Sequence, residues 1–256
     1  MSRSLVSRSL EPLVGVLWGV FLVWSTWLAV VWIAPVGTDE LGFVVGTPAP
    51  PNEALRRAVL ILADHADLVW LALATMNLHL VLTNAHGLRT ARKWLAFSVG
   101  GALVLGVLNA KTGVLFGKLT FGSALGMKLL GVALGWVLLW PVLVMGAREA
   151  VLWMRPRASH MSAAVLAAGL VLLTVFNLEW PARANRGWWL RETGAASLML
   201  GVPWQNWLAW FVWPGLMAFA MREKDVASAA VARSGRPLII LAVLNVIALA
   251  TRLRPG

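Results

Sequence analysis

The chain has 256 residues, 59% of them hydrophobic and only 13% charged, with a mean hydropathy of +0.76 and a formal net charge of +11. Soluble domains carry roughly twice that charged fraction, and a chain this apolar has too little polar surface to cover itself in water. A water-soluble globular domain is therefore excluded. The absence of cysteine excludes disulfides, iron–sulfur clusters and thiolate zinc sites. The positive charge does not describe a nucleic-acid groove, because the arginines sit between apolar runs, where they meet lipid phosphates, and form no basic stripe on a polar background.

The charge-free runs, in chain order, are Pro12–Thr38, Leu68–Leu88, Trp94–Ala110, Leu129–Ala147, Met161–Leu178, Thr193–Met221 and Pro237–Thr251. A spanning helix needs about 20 apolar residues. The pattern predicts an all-α, polytopic transmembrane helical bundle of six or seven spanning helices, seven being the preferred count, forming one integral membrane domain over residues 1–256. The first run follows Arg3 and Arg8, is longer than the roughly 7–15 residues of a signal-peptide core, and lacks a small-x-small cleavage site, so a retained helix is expected. Loop one is Gly37–Arg57, with Asp39, Glu40 and Glu53; loop two is Arg89–Lys93; loop three is the glycine-rich Lys111–Lys128. Loop four is Arg148–His160, loop five is Glu179–Glu192, and loop six is the polar Arg222–Arg236. The slight excess of Lys and Arg on the even-numbered loops and the N-terminus places the N-terminus inside. Loops three and five are both odd-numbered and open on the same membrane face whichever way the chain is oriented.

The segments around loops three and five resemble each other. Gly131-Val132 precedes Trp140 at the spacing at which Gly201-Val202 precedes Trp210, and Gly117 and Gly187, like Leu138 and Leu208, share that offset. An internal duplication and chance in a Gly/Leu/Trp-rich chain account for this equally well. Many of the 16 tryptophans lie near run ends, among them Trp70, Trp94, Trp140, Trp153, Trp180, Trp188 and Trp189, where interfacial anchoring is the expectation.

Ionisable groups at membrane depth are costly and mark function. Asp64, His65, Asp67 and His79 lack the His-x-x-x-His or Glu-x-x-His spacing of a metal site. Asp64 and Asp67 are expected to be solvated at the interface, with His79 bonding a neighbouring helix. No metal and no cofactor are expected, since Walker-type and dinucleotide-type glycine loops are missing. The spacing of Gly113 and Gly117, and of Gly122 and Gly126, reads by default as close helix packing. A Glu in an apolar site is held neutral by desolvation, and a neutral carboxyl can donate a proton. Glu179, after Val-Phe-Asn-Leu178 and before Trp180-Pro181, fits that description. On the residues alone, an interfacial Glu179 paired to Arg183 or Arg186 fits it equally well.

Two stretches extend the reading. The first is Lys111-Thr-Gly-Val-Leu-Phe-Gly117, continued by Phe121-Gly-Ser-Ala-Leu-Gly-Met-Lys-Leu-Leu-Gly-Val132; the second is Glu179 followed by Gly201-Val-Pro-Trp-Gln-Asn-Trp-Leu-Ala-Trp-Phe211. In order and spacing, over roughly Leu103–Phe211, they resemble the bacterial and archaeal carotenoid biosynthesis membrane proteins, the family of the CruF-type carotenoid 1,2-hydratases. The chain departs from the family's pattern at Leu119, Phe121 and Trp207, where tyrosines are usual, and at Ala133, where a proline is. An acidic residue usual before the first motif is missing from Gly106–Asn109, the proline after Glu179 arrives one residue late as Pro181, and no aspartate stands in Thr174–Asn177.

The resemblance implies a multi-pass cell-membrane enzyme that adds water, without a cofactor, across the terminal double bond of an acyclic-ended carotenoid. In that reading Glu179 is the acid, Asn206 and Gln205 position the water, Trp207 and Trp210 line the site and stabilise a cation, and Thr112, Gly113, Phe116 and Gly117 shape the wall. Its partners would be a carotenoid or other polyisoprenoid lipid, the membrane, and other enzymes of the carotenoid pathway, with no nucleic acid. The competing reading is a non-catalytic polyene or lipid carrier, or a scaffold. A transporter would need polar residues at midplane in several helices, and only Asn77, His79, Gln205 and Asn206 qualify.

Overall fold

The computed structural model describes residues 3–33, 52–191, 198–199, 201–221 and 233–253; Asp39 and Glu40 of loop one and residues 222–232 of loop six lie outside the described residues. Among the described residues the helices are α1 (Arg3–Ile33), α2 (Glu53–Asp64), α3 (Ala66–His86), α4 (Leu88–Thr112), α5 (Leu134–Met154), α6 (His160–Ala184), α7 (Trp204–Ala220) and α8 (Arg236–Arg252). Six two- or three-residue strands join them at one end of the bundle: β1 (Leu119–Phe121), β2 (Lys128–Leu129), β3 (Val132–Ala133), β4 (Trp189–Arg191), β5 (Leu198–Met199) and β6 (Val202–Pro203). Among the described residues five helices are long and apolar enough to cross a membrane: α1 from Pro12 onward, α3, α4, α5 and α6. The other two bundle helices, α7 and α8, have 17 residues each, about 25 Å at 1.5 Å per residue.

Helix ends differ from the charge-free runs in instructive ways. Helix α4 begins at Leu88 and includes Arg89, Arg92 and Lys93, which are exposed on its first turns, where long basic side chains can reach water. Helix α5 begins only at Leu134, since Lys128–Ala133 form the β2–β3 hairpin, and continues through Arg148 and Glu149 to Met154. Helix α6 runs through Glu179 and Pro181 to Ala184, so Glu179 belongs to a helix and not to loop five. Gln205 and Asn206 lie in the first turn of α7 and not deep inside a helix, because the strands Leu198–Met199 and Val202–Pro203 pair just ahead of them. The glycines at 113, 117 and 126 are not helix-packing residues either: all three have positive φ and stand in the loop after α4.

Helix α5 is central. Of its apolar window 83% is buried, against 28% for α1 and for α4, and it packs on α3, α4, α6, α7 and α8. Tryptophans hold the bundle more than they anchor it. Trp24 Nε1 donates to the Ala66 carbonyl and Trp70 Nε1 to the Ser25 hydroxyl, both at 2.9 Å, tying α1 to α3 and to the α2–α3 junction. Of the seven tryptophans expected at the interface only Trp153 and Trp180 are exposed; Trp70, Trp94, Trp140, Trp188 and Trp189 are buried. Helix α8 is pinned by amides: Asn177 Nδ2 donates to Asn245 Oδ1 (2.8 Å), and Asn245 Nδ2 donates to Thr174 Oγ1 (3.0 Å).

The α4–α5 and α6–α7 segments follow one plan: a helix, a left-handed glycine (Gly117, Gly187), a strand, a hairpin with a left-handed glycine (Gly131, Gly201), and a helix. The equivalent strands pair with each other, antiparallel, in the register Leu119↔Arg191, Thr120↔Leu190 and Phe121↔Trp189. The ladder is symmetric about Thr120 and Leu190, which are themselves equivalent positions. It joins loops three and five, so their expected common face is the observed one.

Candidate functional site

The β1–β4 ladder brings Arg191 against Glu179. Glu179 is buried, and its carboxylate meets a two-pronged guanidinium: Arg191 Nε donates to Oε1 at 2.8 Å and Nη2 to Oε2 at 3.1 Å. The partner is neither Arg183 nor Arg186. Such fork-on-fork pairing is the strong form of a charge-assisted hydrogen bond. Trp189 Nε1 adds a donor to Oε1 at 3.3 Å. Arg191 also reaches both other parts of the site: Nη2 donates to Asn206 Oδ1 at 3.0 Å and Nη1 to the Phe116 carbonyl. One guanidinium thus links α6, α7 and loop three.

Loop three is held in place by Asn109 at the end of α4. Its Oδ1 accepts from the Phe116 amide and its Nδ2 donates to the Gly117 carbonyl, both at 2.8 Å. That amide-for-backbone substitution satisfies groups a buried loop would leave orphaned. Asn109 is the repeat equivalent of Glu179, as Phe121 is of Arg191 and Trp136 of Asn206. The Glu179–Arg191–Asn206 triplet thus comes from the second segment, and its counterparts in the first are Asn109, Phe121 and Trp136.

The site's aromatic cluster is continuous. Phe116 lies 5.4 Å from Trp136 and 5.3 Å from Trp210, and Trp210 stacks on its repeat equivalent Trp140 at 5.0 Å and 24°. Trp136 meets Trp189 edge-on at 5.7 Å, next to the carboxylate. Asn206 is fully buried, and its Nδ2 has no hydrogen-bond partner among the described residues, a costly arrangement for a protein amide.

The structure brings together Glu179, Asn206, Phe116, Gly117 and Trp210 of the residues expected in the site. Trp207 is buried but packs at 5.7 Å on Phe176 of α6. Gln205 is exposed, one position round α7 from Asn206. Thr112 is exposed too and closes α4, donating to the Leu108 carbonyl at 2.8 Å, while Gly113 is that helix's left-handed C-cap. Arg191, Trp189 and Asn109 were not legible as site residues: no spacing rule connects Glu179 to an arginine on a separate strand.

Asp67 is not solvated. It is 1% exposed and holds Arg186, whose Nε and Nη2 lie 2.9 and 2.6 Å from Oδ2; Trp32 Nε1 donates to Oδ1 at 2.6 Å. Burial is tolerable because both oxygens are satisfied. Arg186 also donates to the Ala63 carbonyl at 3.1 Å, which clamps loop five to the α2–α3 junction. Asp64 stays exposed, and His79 Nδ1 is buried without a partner among the described residues, not bonded to a neighbouring helix as expected. A second ionic cluster, at the opposite end of the bundle, gathers His86, Arg148, Glu149 and Arg233, all nearly fully buried. Arg148 Nη1 donates to Glu149 Oε1 at 2.7 Å, so this arginine is not a residue of an exposed loop four.

The carotenoid biosynthesis protein family matches residues 66–254, from the first residue of α3 to just past α8. The chain belongs to that family. No curated protein and no solved structure matches it. Membership places the chain in the carotenoid pathway and makes a carotenoid lipid and the membrane its natural associates, consistent with its five membrane-length apolar helices. Within the family match fall every group of the Glu179–Arg191–Asn206 cluster and both loops that build it, while α1 and α2 precede it.

Proposed function

We propose that this member of the carotenoid biosynthesis family is a multi-pass cell-membrane hydratase of the CruF type, adding water to the terminal double bond of an acyclic-ended carotenoid without a cofactor. The observation that carries the reading is a buried carboxyl, Glu179, linked through Arg191 to Asn206, whose Nδ2 has no partner among the described residues, and through Trp189 to the ring cluster of Phe116, Trp136, Trp140 and Trp210. In this reading Glu179 first exchanges its pairing with Arg191 for a proton, and then gives that proton to the terminal alkene, whose π pair forms the new C–H bond and leaves a tertiary cation. The faces of the indole rings stabilise that cation. A water oriented by Asn206 Nδ2 bonds through oxygen to the cation, and its surplus proton returns to Glu179, so that one water is consumed and the carboxyl is restored. Arg191 takes up the conjugate base and is still held by Asn206 and the Phe116 carbonyl when Glu179 is protonated. Of the other residues, Gly117 joins this core through the Asn109 bond to its carbonyl, while the exposed Gln205 and Thr112 have no part in it.

The test is expression in lycopene-producing cells with pigment analysis. The expected product is a more polar carotenoid heavier by one water, absent with Glu179→Gln. Unchanged pigment from a well-expressed protein, or full turnover in Glu179→Gln, would overturn the reading. A second reading, a non-catalytic polyene carrier or scaffold for other pathway enzymes, is favoured by the fact that both Glu179 oxygens accept from Arg191. Carotenoid that co-purifies unaltered with the wild-type protein would select it.

A further inference from the structure

The β2–β3 hairpin carries its apolar residues outward. Met127 is 76% exposed, Leu129 61% and Leu130 71%. The turn between the strands is the two residues Leu130 and Gly131, with φ of +53° and +84°. A two-residue turn with both residues left-handed favours Asn, Asp or Gly at its first position. Leu130 is the one non-glycine residue with positive φ among those described, and a bulky side chain there is a genuine outlier. An asparagine would suit the backbone better, so an apolar tip is present in spite of the local conformation.

The surroundings say what such a tip meets. Helix α5 has 21 residues, about 31 Å at 1.5 Å per residue, which matches a hydrocarbon core of about 30 Å. Seated across that core, it has its first residue at the edge of the hydrocarbon. The Leu134 amide donates to the Met127 carbonyl at 2.8 Å, so the hairpin starts at that edge. Two residues per strand reach about 7 Å, and the headgroup layer on each side of a bilayer is about 5–8 Å deep. Lys128, exposed within the same hairpin, is the residue type that pairs with lipid phosphate.

The geometry points to the β2–β3 tip as a membrane-interface anchor, with Met127, Leu129 and Leu130 seated among the headgroups of the leaflet around the start of α5 and Lys128 on the lipid phosphates. This inference is independent of any catalytic activity. It would fix the hairpin root, where buried Val132 sits against Gly106 of α4 one turn before Trp136, at a constant depth in the bilayer.

The chain has no cysteine, which allows a direct measurement. Leu130→Cys carries a nitroxide label in vesicles of phosphatidylcholine and phosphatidylglycerol, with Leu129→Cys as the substitute if that variant does not fold. Collision with oxygen, which concentrates in lipid, is compared with collision with a water-soluble nickel chelate, and Val165→Cys on the exposed side of α6 marks hydrocarbon depth. The expected result is a label favouring oxygen over nickel, less strongly than at Val165, and shifting toward nickel in short-chain detergent micelles. A label as open to nickel in vesicles as in micelles would overturn the proposal and assign the tip to water, available to a soluble partner.

Discussion

Arg191 does at the residue scale what no local pattern announces. It holds Glu179, Asn206 and the Phe116 carbonyl at once, and both members of its ion pair are about 7% exposed. Removing one partner of a buried pair leaves an uncompensated charge, at a cost of about 3–5 kcal/mol. Arg191→Met is therefore expected to lower the Tm sharply in a fixed detergent. The double variant Glu179→Gln/Arg191→Met should lose less than the single, because no charge is stranded. Equal losses in the two would mean that the pair is not sequestered. Glu179 is legible in the sequence as an acid directly following an apolar run, but its partner is not, since an ion pair between a helix and a separate strand leaves no mark in residue spacing.

At the element scale, the loops contribute as much as the helices. Gly122 shows why the β1–β4 join is tight: a Cβ placed there would lie 1.9 Å from the Gly187 carbonyl oxygen, a distance that backbone cannot yield without moving. Gly122→Ala should separate the two loops while leaving the far-ultraviolet helical signal nearly unchanged. Helix α8 is held by Asn245, which touches both Thr174 and Asn177. Interhelical polar contacts in membranes are worth about 0.6–2 kcal/mol, so Asn245→Leu should destabilise by about 1 kcal/mol in reversible detergent unfolding. No change there would mean that packing alone places α8. Helix positions were readable from charge-free runs because a bilayer demands length and apolarity. Helix ends were not, because a run without charges can include a hairpin, as over Lys128–Ala133, and a helix can continue through charges it buries, as at Arg148 and Glu149.

For the whole molecule, the two equivalent segments meet at Thr120 and Leu190, directly opposite each other and both exposed. Directly paired strand residues have Cα atoms within disulfide reach. In this cysteine-free chain, Thr120→Cys/Leu190→Cys should oxidise to an intramolecular bond that leaves no thiol for alkylation, and adding Gly122→Ala should reduce the yield. Free thiols in the double-cysteine protein after oxidation would contradict the ladder. The sequence by itself determined that the chain lives in lipid, that it is a helical bundle, that loops three and five share a face, and that its long motifs are those of carotenoid biosynthesis proteins. These follow from composition, run length and residue order, which are local or countable. Only the tertiary structure decided that Arg191 rather than Arg183 or Arg186 neutralises Glu179, that Asp67 is buried on Arg186, and that Asn109 and Trp136 answer Glu179 and Asn206 across the paired segments. The ion pairs are set by which residues the folded bundle brings within hydrogen-bond reach, and desolvation makes each buried charge depend on a partner that can be far away in the chain.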